Sequence, residues 1–90
     1  MKMQKNEYKV RFSHPFEDKN IEMSLPADIS FADIAALLIE KGFIPSKKGG
    51  WQFIIDDKLC NRAYMLEDYL PYPVPEVTDI RIHGLLTILI

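Results

Sequence analysis

The stretch "PADISFADIAALLIEKGFIP", residues 26–45, constrains this chain more than any other. Ser30 is placed to cap a helix, and Asp33 stands three residues on, a near variant of the capping box. Phe31, Ile34, Leu37, Leu38 and Lys41 follow the three-four spacing of one helical face. Gly42 offers a left-handed C-cap, and Pro45 prevents continuation. The spacing predicts one helix over about residues 30–41. A helix this short is marginal alone in water, so it needs a partner surface for its apolar face.

Flanking segments supply that surface as strands. In "EYKVRFS", Tyr8, Val10 and Phe12 alternate with Lys9, Arg11 and Ser13. In "IEMSL", Ile21, Met23 and Leu25 share one side. Period-two alternation argues half-buried strands, and two such runs around "HPFEDKN" argue a hairpin with a loop longer than two residues. "WQFIID" is aromatic and β-branched; Trp51, Phe53 and Ile55 share one face, against Gln52, Ile54 and Asp56. "DDKLC" is expected to turn into a short edge strand near Leu59, and "RAYMLEDYL" to hold one helical or 3₁₀ turn. "PYPVPEV" carries three prolines in alternation, which predicts a stiff extended connection. "TDIRIHGLLTILI" reads as a long final strand, with Gly84 as a bulge or bend. Val10, Phe12, Ile21, Met23, Leu25, Phe53, Ile55, Ile80 and Ile82 are then the inward set facing Ile34, Leu37 and Leu38. Each such side chain, fully buried, contributes roughly 1.5–3 kcal/mol.

Composition narrows the class. Ninety residues make one domain, with residues 1–6 read as disordered. At 48% hydrophobic and 27% charged, the chain is too apolar for disorder. A net charge of −2 supplies no overall field toward nucleic acid. The single cysteine, Cys60, excludes an intramolecular disulfide and a multi-cysteine zinc site. "MKMQKNEYKV" lacks the apolar run of a signal peptide, and no window reaches the roughly 18 to 20 apolar residues of a membrane helix. A cytoplasmic protein without membrane insertion is the expectation.

The element order is hairpin, helix, strand, short edge element, final strand. That order resembles the ubiquitin-like β-grasp, an α+β fold with a mixed four- to five-stranded sheet on one helix. "EKGFIPSKKGGWQFI" resembles ubiquitin's helix exit, and "LEDY" (Leu66 to Tyr69) resembles its Leu-Ser-Asp-Tyr turn. In that family the tyrosine closes a loop by a hydroxyl bond to backbone, which implies the same for Tyr69. "GGWQFIIDDKLC" with the downstream "LEDY" also resembles the bacterial YukD/EsaB family, accessory proteins of type VII secretion. The resemblance implies a non-enzymatic module that docks on a larger secretion or DNA-transfer assembly. Ubiquitin-type modifiers and sulfur carriers need a terminal Gly-Gly for adenylation. This sequence reads Leu89-Ile90 there, so conjugation and sulfur transfer are not expected.

Two candidate sites follow. The β-grasp sets its first and last strands parallel at the centre, with the third beside the last. Lys9, Arg11, Gln52, Ile54, Arg81 and His83 then gather on the face away from the helix. That face is expected to be basic and mixed, suited to an acidic or polar protein surface. The second candidate is the apolar terminus, with Leu86, Ile88 and Ile90. It either completes the domain's own core, or pairs with a partner or second copy by strand addition, or touches a membrane. Pairing through this strand would make a homodimer and a self-assembling structural domain, the alternative reading. Nucleic acid is not expected, because no aromatic residues interleave with the cations. No cofactor, metal or catalytic site is expected. His14 and His83 lie on different elements, Asp56-Asp57 read as a solvated turn, and Cys60 and Trp51 read as core. Lys47-Lys48-Gly49-Gly50 lacks the spacing and following helix of a phosphate loop.

Overall fold

The period-two runs become strands. A computed structural model of the chain describes residues 7–46 and 50–84. The expectations for residues 1–6, for Lys47 to Gly49, and for Leu86, Ile88 and Ile90 lie outside these residues. Strands β1 (Glu7–Ser13) and β2 (Asn20–Pro26) form the hairpin, followed by helix α1 (Phe31–Glu40). Strands β3 (Trp51–Ile55) and β4 (Lys58–Cys60) form a second hairpin, followed by a 3₁₀ turn at Leu66–Asp68 and strand β5 (Thr78–Gly84). The sheet order is β2-β1-β5-β3-β4, with β1 and β5 parallel and every other pair antiparallel.

One face of this sheet carries the core. Val10, Phe12, Leu25, Phe53, Ile55, Ile80 and Ile82 are buried there with Phe31, Ile34 and Leu38 of α1. Phe53 sits edge-on to Phe12 at 5.9 Å and tilted to Phe31 at 5.7 Å, which ties sheet to helix. Leu37 packs partly buried against this cluster, but Lys41 is exposed at the C-cap and leaves the predicted apolar face. Three residues beyond Leu38 the helix has already ended, so its stem finds no sheet to cover.

The helix ends are satisfied as the sequence predicts. Ser30 Oγ accepts the Asp33 N–H at 3.1 Å. Gly42 follows the cap at φ +78°, a conformation that strains any residue with a Cβ. The remaining first-turn donors are met by the chain beyond β4: Phe31 N–H donates to the Tyr64 carbonyl and Ala32 N–H to that of Arg62, each at 3.1 Å. In return Leu66 N–H donates to Ile29 (2.8 Å) and Glu67 N–H to Ala27 (3.0 Å). The "LEDY" turn is knitted at three points. Leu66 is fully buried, Asp68 accepts the Met65 N–H at 2.9 Å, and Tyr69 Oη accepts the Asn61 N–H at 3.0 Å.

Two local expectations are corrected. The "PYPVPEV" segment bends around residues 72–73 and 76–77 and is not one extended strut. Gly84 is not a bulge, since it sits opposite Trp51 in a register that runs unbroken back to Arg81 opposite Ile54; the bend alternative falls on residues outside those described.

Two substitutions test this packing. Thr78 Oγ1 is buried on the core side of β5 with no hydrogen-bond partner among the described residues. Thr78→Val removes that unmet hydroxyl at constant shape and is expected to raise unfolding stability by about 1 kcal/mol in urea titrations. Tyr69→Phe deletes the acceptor for Asn61 N–H and is expected to cost about 0.5–1.5 kcal/mol in the same assay.

Candidate functional site

Helix α1 covers the core face, and the alternate side chains of the strands line the other. The register assembles them into rows. Arg81 lies between Ser13 and Ile54, and Leu59 lies beyond Ile54. One step along, Arg11 lies between Glu22 and Asp79. One step the other way, His83 lies opposite Gln52. Lys9 is opposite Ser24. It stands four residues from Ser13, about 13 Å along the strand, so it is apart from the Ile54 row. Five of the six residues expected on this face are therefore brought together, and Lys9 marks its far end.

The face is not basic. Arg11 Nε donates to Asp79 Oδ1 at 2.8 Å, and its Nη1 to Glu22 Oε2 at 3.3 Å. Arg81 Nη2 donates to Asp57 Oδ1 at 3.3 Å. The Asp79 hydrogen bond and charge, then the Glu22 charge, raise the Arg11 pKa above its ordinary value. Such exposed pairs contribute little stability. They do cancel the field: Lys9, Arg11 and Arg81 stand with Glu22, Asp57 and Asp79. The carboxylates were visible in the strand parity, since Glu22 alternates with the partly buried Ile21 and Met23 and Asp79 with the buried Thr78 and Ile80. That both would converge on Arg11 required the β2-β1-β5 order.

The apolar part of the face is a pair at its β4 end. Ile54 is half-buried, and Leu59 opposite it is 55% exposed. Leu59 was expected only as an edge residue. The turn that presents it, Asp56-Asp57, has φ of 53° and 65° at its two residues, the left-handed pair of a type I′ hairpin. Asp57 is thus a turn former whose exposed carboxylate also reaches Arg81.

His14 and His83 are drawn to one neighbourhood. His14 stacks on Phe16 (6.1 Å) and Phe43 (5.2 Å), while Phe16 and His83 line a shared cavity of about 190 Å³. His14 Nδ1 accepts N–H bonds from Phe16 (3.1 Å) and Glu17 (3.0 Å), so it caps the β1–β2 loop. Trp51 is core, as expected: it is buried, and its indole donates to the Pro45 carbonyl at 2.8 Å. Cys60 is buried too, and burial pushes its thiol up to about 11.

Among the described residues, no group of three or more His, Cys, Asp and Glu side chains is placed to hold a metal ion. Nor, among them, is any helix long and apolar enough to cross a membrane. The sequence matches no family model and no curated protein. Its structure is similar to a solved de novo design based on ubiquitin, with a TM-score of 0.65 at 13% sequence identity. The match covers 87% of this chain and 88% of the design. The five-stranded mixed sheet on one helix, in this order, is the ubiquitin-like β-grasp.

Cys60 yields a test. The unfolded thiol ionises near 9.0, and the folded one holds its proton to about 11. Between those values the unfolded chain binds fewer protons, so stability falls as pH rises through this window. Urea midpoints at pH 8 and pH 10.5 are expected to show the fall, and Cys60→Ala is expected to remove the part due to the thiol.

Proposed function

We propose that this chain is a non-catalytic protein-interaction module that binds its partner through the open sheet face. The observation that carries the reading is the uncovered pair Ile54 and Leu59, opposed in the β3–β4 ladder. Apolar side chains at the β4 end of a polar surface, flanked by Gln52, Arg81 and His83, supply the exposed apolar anchor of a binding hot spot. Arg11 and Arg81 already hold carboxylates, so they serve as a fixed polar rim more than as a charge trap. The matching partner surface has an apolar centre. The non-catalytic reading is supported by the occupied groups: a burial-raised thiol at Cys60, and a His14 ring nitrogen that accepts two backbone N–H bonds.

The finer reading is an accessory or regulatory component of a bacterial secretion or DNA-transfer assembly in the cytoplasm. Its support is the likeness of "GGWQFIIDDKLC" and "LEDY" to the YukD/EsaB proteins.

Ile54→Asp tests the face. Ile54 lies outside the core cluster, so the fold is expected to survive, as read by an unchanged far-ultraviolet spectrum. A partner recovered from native lysate with the wild-type chain is expected to lose at least about tenfold in affinity, the scale of one lost hot-spot side chain. Equal recovery by both chains would place the interface elsewhere.

A further inference from the structure

We propose that a cleft beside the open face receives an acidic side chain of the bound partner. The inference rests on the reading of that face as the interface and names the chemistry its partner presents.

The cleft has a volume of about 450 Å³. That lies toward the lower end of the roughly 300–1,000 Å³ typical of small-ligand sites. It opens between the β3–β4 hairpin and the chain that follows it. Trp51 and Leu59 supply apolar wall, and Gln52, Asn61, Arg62 and Tyr69 supply polar atoms. Gln52 and Leu59 belong to the open face as well, so the cleft continues the candidate interface.

Its polar groups are mainly donors. Among the described residues, Arg62 is the single cation of the lining, and none of those residues is a carboxylate. The face's arginines are answered by Asp79, Glu22 and Asp57, yet Arg62 has no ion pair among the described residues. Tyr69 Oη accepts the Asn61 N–H, which leaves the hydroxyl proton to be donated. Asn61 Oδ1 accepts the Ala63 N–H at 2.9 Å, which leaves the amide donors of that side chain. A guanidinium with flanking neutral donors, backed by apolar wall, is complementary to a carboxylate on a short apolar stem. An aspartate or glutamate beside an apolar residue meets both halves: the carboxylate at Arg62, the apolar neighbour at Leu59 and Ile54. The cleft's continuity with the face favours a side chain carried on a protein over a free acid.

The test is an ¹H–¹⁵N NMR titration of the full chain with the peptide acetyl-Leu-Glu-Leu-amide. Its glutamine analogue and free N-acetylglutamate serve as controls. Shifts at Gln52, Leu59, Asn61, Arg62 and Tyr69 are expected. Affinity is expected to fall at least about tenfold with the glutamine peptide and with Arg62→Gln, the loss of one charge-assisted pair. Arg62 is exposed, so its substitution leaves the core intact. Equal binding by Arg62→Gln, equal binding of the glutamine peptide, or no binding overturns the proposal. N-acetylglutamate binding as tightly as the peptide overturns the partner side chain as occupant. Ile54→Asp separates the two readings. Shifts centred on Ile54 and Arg81 that vanish in Ile54→Asp but persist in Arg62→Gln keep the face and refute the cleft. Loss in Arg62→Gln with full binding in Ile54→Asp keeps the cleft and refutes the face.

Discussion

A ten-residue helix is about 15 Å long, and five strands at roughly 4.8 Å spacing make a sheet wider than that. One such helix covers one face and no more. The central β1–β5 pair puts Phe12 and Ile80 side by side beneath it, and Phe53 on β3 closes the seam with Phe31. Every inward residue is committed to this contact. Every outward residue of the same strands is left to water or to a partner. Core and candidate interface are therefore two consequences of the same alternation.

The connections obey a second constraint. A helix start has unmet N–H groups, and a buried start must find acceptors for them. Here the chain before the 3₁₀ turn supplies two, the Tyr64 and Arg62 carbonyls, and Ser30 supplies a third. The exchange is mutual, because the residues before the helix accept N–H groups from Leu66 and Glu67. Tyr69 then closes the loop from Asn61 and stacks edge-on against Phe31 at 5.6 Å. The "LEDY" turn thus joins the helix N-terminus to the sheet edge, and the proposed cleft sits at that junction.

The electrostatics of the open face depend on which cations are already answered. Arg11 spans two carboxylates on two different strands, which neutralises the middle of the sheet. Arg81 reaches the Asp57 turn. What distinguishes the β4 end is an exposed leucine and an arginine whose guanidinium has no ion pair among the described residues. Apolar contact and carboxylate recognition therefore meet at one end of the face, and Lys9 at the other end contributes to neither.

Much of the fold was legible because its signals are local. Alternation marked the strands, Ser30 and Gly42 marked the helix ends, and the parity of Arg11, Gln52, Ile54, Arg81 and His83 assigned them to the open side. Lys41 was misplaced because spacing alone does not say where the helix stops meeting the sheet. The charge of the face was misread because cations are visible in sequence and their partners are not. Glu22, Asp57 and Asp79 lie on three different elements and reach the two arginines only through strand order and a turn. Leu59, Arg62 and Tyr69 form a cleft only when the β3–β4 hairpin and the 3₁₀ region dock. By itself the sequence determined which strand residues point inward and where the helix is capped, since both follow from backbone geometry within a few residues. The tertiary structure alone decided which charges cancel and which side chains share a cavity, because those depend on distances between segments that alternation leaves free.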